Sequence, residues 1–202
     1  MSDYSIYKID TYVHHNQPLR FESINDETFT IIDDSPSANF PANTFDIVRV
    51  TVLHNGVNKF IYGVYNDQTY DGTEYRLICD YDSNVYGGIA EANTNVVKLE
   101  IFALPSTPIL ELNSYNLSPN FQVATYGKDY KPYNYRESYN ISVPQQRLVF
   151  NSNLKSLYNN YSDKVLVDSC SNKAYSVSPT ELSAVAINGQ IKTALNFNVL
   201  IK

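Results

Sequence analysis

The stretch DYDSNVYGGIAE places Asp80, Asp82 and Asn84 at alternate positions and Glu91 at the twelfth. Those are oxygen-bearing positions of an EF-hand-type calcium loop, in which carboxylate and amide oxygens close around a hard cation. The sixth position is Val85, where that loop needs Gly for its sharp bend. The flanking residues also alternate as strands do. Two readings stand side by side. One is an Asp/Asn-rich turn between strands. The other is a calcium site at Asp80, Asp82, Asn84 and Glu91 in a β-protein loop.

Other chemistry-bearing side chains are few. His14 and His15 are adjacent, so on a strand they point to opposite faces and one metal does not take both. His54 precedes Asn55-Gly56, a polar position at a hairpin end. No HExxH or GxSxG motif exists, and no Cys lies in a basic or His-rich stretch. Asp33-Asp34 sits in a Ser/Pro-rich loop, 33–43, and reads as solvated loop charge rather than as one of the facing carboxylates that a glycosidase needs. Cys79 and Cys170 belong to no CxxC pair, which excludes a cysteine zinc site. Two buried thiols are expected in preference to a disulfide. No phosphate-cradling glycine motif is present. The expectation is a non-enzymatic chain without a cofactor.

The tyrosines offer a different chemistry. YGKDYKPYNYRESYN, 126–140, holds Tyr126, Tyr130, Tyr133, Tyr135 and Tyr139, interleaved with Lys128, Lys131 and Arg136. Their uneven spacing fits neither a helix nor a strand throughout, and Gly127 and Pro132 lie inside. The stretch reads as a long loop with extended pieces. Tyrosine joins a large apolar body to a polar tip. Such a surface suits sugar rings, single-stranded bases or another protein; loop tyrosines can also lie over their own core. The protein contact is preferred, through Tyr130, Tyr133, Tyr135 and Arg136.

The elements that must position these residues are mostly strands. The 202 residues include 18 Tyr, 23 Asn, seven Gly and no Trp. Tyr, Val, Ile, Thr and Phe suit a pleated surface, and Asn suits turns. TFDIVRVTVLHNGVNKFIYGVY, 44–65, alternates on both sides of Asn55-Gly56 and is a hairpin with a type I′ turn. NDQTYDG, 66–72, is the next turn. In EYRLICDYD, Tyr75, Leu77, Cys79 and Tyr81 alternate with polar residues; in NVVKLEIFAL, Val97, Leu99, Ile101 and Ala103 oppose Lys98 and Glu100. Both are strands with one wet face. Further strands are expected at 4–13, at 21–26 and 27–33 around a turn, and at 108–117, 121–127, 138–143, 146–151 and 190–200. SNLKSLYNNYSD, 152–163, spaces Leu154, Leu157, Tyr158 and Tyr161 as a short amphipathic helix. Ser178-Pro179-Thr180-Glu181 is a helix start with a capping box, ended by Gly189. The competing reading makes Asn188-Gly189 a hairpin turn. The fold class is all-β or mainly β with one or two short helices, an antiparallel β-sandwich or barrel-like.

Net charge is −6. Residues 1–104 carry 15 acidic and 6 basic side chains; residues 105–202 carry 6 acidic and 9 basic. With LPSTP at 104–108, this suggests an acidic β domain over 1–104 and a second β-rich subdomain over 105–202, with one domain over 1–202 as the alternative. The asymmetry reads either as separate solvated faces or as complementarity between copies. An acidic chain without a Lys/Arg cluster is a poor partner for duplex nucleic acid. No apolar run is long enough for a membrane helix, and MSDYSIYKIDTYVHH lacks the features of a secretory signal.

The whole texture resembles virion structural proteins of tailed phages with AT-rich genomes, such as crAss-like phages. The features are the signal-free start MSDYSIYKIDTYVHH, the dense Asn and Tyr, the 44–65 hairpin and the missing catalytic motifs. The resemblance implies a neck, tail or capsid-associated β-protein working in many copies. Its partners would be itself and other virion proteins, in a particle assembled in the host cytoplasm. The alternative is a β-sandwich binding module for glycans or a host surface, assisted by Ca2+ at Asp80, Asp82 and Asn84.

Overall fold

A computed structural model describes residues 3–9, 13–15, 19–23, 27–34, 40, 43, 46–87, 89, 95–126, 132–146, 157–158, 163–187 and 190–200. The strands are β1 (Tyr4–Ile9), β2 (Val13–His15), β3 (Leu19–Ser23), β4 (Thr28–Asp33), β5 (Ile47–His54), β6 (Val57–Tyr70) and β7 (Tyr75–Tyr81). After the one-turn helix α1 (Ser83–Tyr86) come β8 (Asn95–Phe102), β9 (Leu110–Leu112), β10 (Asn116–Tyr126) and β11 (Pro132–Gln146). The last are β12 (Asp163–Asp168), β13 (Lys173–Ile187) and β14 (Gln190–Val199).

They form two antiparallel sheets, so the all-β expectation holds. The first runs β10-β11-β14-β13-β12-β1-β9. The second runs β2-β8-β3-β4-β7-β6-β5 and curls until β8 also pairs with β5. Buried residues of both sheets make one continuous cluster, from Ile6 to Val199. The chain passes from the second sheet to the first through 103–109. β1 precedes that connection yet lies in the first sheet, between β12 and β9.

Local chemistry explains the clearest elements. Asn55 and Gly56 have φ of 50° and 75°, the left-handed pair that a type I′ turn requires. Val48, Val50 and Val52 are buried on one face, and Leu53 at the tip is exposed. Gly63 sits where Phe29 crosses the strand: a Cβ there would lie 2.7 Å from Phe29 Cε1 and 2.9 Å from the Asp80 carbonyl oxygen. In the terminal strand, Leu195, Phe197 and Val199 are buried, as their alternation predicts.

Five expectations need correction. First, 66–70 is not a turn. A bulge between Tyr65 and Asp67 lets β6 run on to Tyr70. The turn is 71–74, where Asp71 Oδ1 accepts from Thr73 N, Thr73 Oγ1 and Glu74 N. Those donors hold the Asp71 carboxyl at about 2. Second, 178–187 is strand, not helix. β13 pairs with β14 from Val177↔Val199 to Ile187↔Gln190, and a bulge after Pro179 absorbs the proline. A helix of about ten residues is marginal on its own, and the long ladder outweighs its cap.

Third, 132–140 is strand rather than loop, paired to β10 along its length. Fourth, the face of β8 expected to be wet is so only in part: Lys98 reaches solvent, but Glu100 is 1% exposed. On the other face, a bulge opposite Thr51/Val52 turns Val97 outward, leaving it 55% exposed. Fifth, Asp33 is buried in β4, and Cys170 is exposed while Cys79 is buried; both cysteines are free. Of the expected 152–163 helix, Leu157 and Tyr158 are helical, with Leu157 buried; the remainder up to 162 lies outside the described residues, and Asp163 begins β12.

Gly63→Ala is expected to destabilise the fold by about 1–3 kcal/mol, the usual range for overpacking a core. Urea denaturation checks this; unchanged stability would mean that Phe29 does not pack over Gly63.

Candidate functional site

Two parts of the structure involve the residues singled out from sequence: a buried polar joint between the sheets, and a two-stranded arm of β10 and β11.

The joint is built on Asp82. This residue follows β7 and caps α1, with Oδ1 accepting from Asn84 N at 3.0 Å and Asn84 Nδ2 at 3.2 Å. Its side chain is shut in by the first sheet. Tyr175 of β13 donates its hydroxyl to Oδ2 at 2.7 Å, and Lys173 Nζ stands 3.7 Å from Oδ1. Two further phenols fasten the same turn. Tyr86 donates to the Ala174 carbonyl at 3.5 Å, and Tyr139 of β11 donates to the Asn84 carbonyl. Asp80, at the end of β7, accepts from Asn66 Nδ2 at 2.9 Å and Asn172 Nδ2 at 3.1 Å.

The joint extends outward through Tyr115. Its ring meets Tyr175 edge-on at 6.1 Å and Tyr4 at 5.3 Å. Its hydroxyl donates to Asp168 Oδ2 at 3.0 Å, while Asp168 Oδ1 accepts from the Cys170 and Ser171 amides. Burial, first, and then the hydrogen bond to Asp82 push the Tyr175 hydroxyl far above its usual range. Burial likewise pushes up Tyr115 and Tyr86. These phenols stay protonated at neutral pH and act as donors, which suits a structural joint.

A second joint lies at Arg49 of β5. Its Nε donates to Glu100 Oε2 at 2.6 Å, and Nη1 donates to Tyr62 Oη at 3.1 Å and Asp163 Oδ2 at 2.8 Å. Asp163 begins β12, so the guanidinium ties the two sheets together. Phe60 and Phe102 hold its planar face at 5.3 and 5.1 Å. Burial alone would raise the Glu100 carboxyl. Hydrogen bonds from Arg49 and Lys98 overcome that and hold it below the usual carboxylate range.

Asp82 and Asn84 thus meet in the α1 cap, and the Asp80 and Asp82 carboxylates face donors of the protein itself. Asp82 faces Tyr175, the α1 amide and Lys173, and Asp80 faces two asparagines. Glu91 lies outside the described residues. Among the described residues, no group of three His, Cys, Asp or Glu is placed to hold a metal ion. His14 and His15 take successive positions of β2, opposite Glu100 and Leu99. The His54 ring is bonded to Asn55.

The tyrosine stretch divides. Tyr139 belongs to the core. Tyr133, Tyr135 and Arg136 occupy β11 positions opposite Thr125, Val123 and Gln122 of β10. Tyr130 lies outside the described residues. Among the described residues, β11 pairs with β14 only from Tyr139 onward. From Pro132 to Ser138 it pairs only with β10 among the described residues, and this part is a two-stranded arm roughly 24 Å long. Sequence reasoning missed Tyr175, Tyr115 and Arg49. Their partners lie 93, 53 and 51 residues away, at distances no local pattern reports.

No family model matches the chain, and no curated protein matches it. Solved structures that overlay on it include K. pneumonia MrkH in its apo state, at 7% identity and TM-score 0.25, covering 98% of this chain and 77% of that one. Another is described as MrkH, a novel c-di-GMP dependence transcription regulatory factor, at 9% identity and TM-score 0.25, covering 98% and 76%.

Three outcomes are expected. Tyr175→Phe leaves the Asp82 carboxylate buried with one donor fewer and should lower stability by about 1–3 kcal/mol in chemical denaturation. A neutral result would mean the joint does not hold the sheets. Glu100, depressed in the folded chain, stabilises above the ordinary carboxylate range and loses that contribution as pH falls through its folded value. Melting temperature should therefore drop on acidification, and Glu100→Gln should shallow that limb; an unaltered limb would exclude Glu100 as a contributor. Calcium and EDTA should leave melting unchanged, because Asp82 already has its donors; a calcium-dependent rise would show that the turn opens to a cation.

Proposed function

We propose that this chain is a non-enzymatic structural subunit of a viral particle, a neck, tail or capsid-associated protein of a tailed phage, acting through contacts between many copies. The observation that supports this most is the arm. A two-stranded ribbon without a third strand is marginal in water. Here it carries Tyr133, Tyr135 and Arg136, residue types enriched at protein interfaces. A partner laid against the arm would supply the third strand that the pairing does not show among the described residues. The textural resemblance to phage virion proteins suggests a particle as the setting, with other copies and other virion proteins as partners.

The glycan-binding alternative has one observation in its favour. Tyr70 and Tyr75 stack at 4.4 Å beside the 71–74 turn, with Tyr70 exposed, and a sugar ring could extend that stack. Retention on a glycan array, lost on Tyr70→Ala, would favour that reading.

Tyr133→Ala combined with Tyr135→Ala is expected to weaken self-association roughly tenfold or more, the scale of one interface anchor. The melting temperature of the monomer should not move. Light scattering over a concentration series checks this. Unaltered association would remove the arm from the contact.

A further inference from the structure

The outer strand of the arm is unguarded. β10, NLSPNFQVATY, has 11 residues and no Asp, Glu, Lys or Arg. Sheet edges are ordinarily protected by charge, proline, bulges or shortness, because their free N–H and C=O groups accept any extended chain. The opposite edge of the same sheet, β9, has three residues with Glu111 at its centre. Among the described residues, β10 is the long open edge of that sheet, and Pro119 is its one guard.

The direction of the β10 backbone groups follows from the pairing. Leu200 N donates to the Ser176 carbonyl at 2.9 Å, so the Leu200 amide faces β13. Successive residues of a strand turn their backbone groups to alternate sides. Val199 therefore faces β11, and its partner Tyr139 faces β14. Tyr139 then turns away from Pro119, and Pro119 in turn faces out of the sheet. That is the setting in which a strand tolerates a missing N–H. By the same alternation, Leu117, Phe121, Val123 and Thr125 direct their N–H and C=O groups outward.

We infer that β10 is the edge at which two copies of this chain join, antiparallel about a twofold axis at Val123, so that their first sheets become one. This rests on the assembly reading above and gives it a contact. A second copy fits the edge because a strand without charge meets its own like with no like-charge repulsion, whereas a charged strand finds no counter-charge on it. β9 is too short to be the complement, so β10 meets β10, and the contact closes as a dimer. With the axis at Val123, Val123 faces its own copy and Phe121 faces Thr125. Pro119 falls beyond the paired residues, and each outward N–H from Phe121 to Thr125 has an acceptor.

The test is a cross-link read beside amide exchange. Directly opposed residues in such a pair have Cα atoms about 5.5 Å apart, within the span of a disulfide. In a Cys170→Ser background, which removes the exposed thiol, Val123→Cys should convert on oxidation to a covalent dimer. Ser118→Cys should not. In the unsubstituted chain, the Phe121, Val123 and Thr125 amides should exchange more slowly as concentration rises. Association that is weakened by Tyr133→Ala with Tyr135→Ala, but gives no cross-link at Val123→Cys, overturns the edge pairing and keeps the assembly reading. A monomer at every concentration with no cross-link overturns both. Exchange that slows only when an unrelated extended peptide is added assigns the edge to a foreign strand and overturns the inference.

Discussion

A buried carboxylate decides how the two sheets meet. Asp82 is 3% exposed and sits where β7 ends against β13. An ionised carboxylate out of water costs several kcal/mol unless donors surround it. The first sheet supplies Tyr175 and Lys173, and the chain after Asp82 supplies the α1 amide. Satisfying the charge therefore fixes α1 and seats the buried Tyr86 and Val85. Tyr139 and Tyr86 then bond backbone carbonyls across the same seam. β7, β11 and β13 come to their positions together.

Arg49 does the same work with the charges reversed. Its guanidinium lies among Phe60, Tyr62 and Phe102, so water is largely excluded. Glu100 and Asp163 approach from different sheets. Both joints need residues from both sheets, and each is costly to leave half-made. The apolar cluster running between the sheets gains its register from these polar points. From Pro132 to Ser138, β11 pairs only with β10 among the described residues, and the functional reading rests on that stretch.

Alternation over short stretches made much of the fold legible. It marked β5 and β6 around Asn55-Gly56, β7, and β14. It failed where the deciding partner was remote. At 178–187 a local capping box spoke for a helix, and pairing with β14 outweighed it. At 132–140 the uneven tyrosine spacing hid a strand whose register comes from β10. Glu100 looked wet because Arg49, its hydrogen-bond donor, belongs to another strand. Asp80, Asp82 and Asn84 were noticed for their oxygens; that Asp82 is an inter-sheet anchor depends on Tyr175, which lies in a different part of the chain. The tyrosine-rich stretch drew attention as a surface, while Tyr115 and Tyr175, in quieter surroundings, are the ones at the joint.

The central claim is that the Asp82 and Arg49 joints make the two sheets one cooperative body. Scanning calorimetry of the intact chain tests it most directly. A single transition is expected, with a calorimetric enthalpy equal to the van't Hoff enthalpy. Two resolved transitions, one for each sheet, would contradict it.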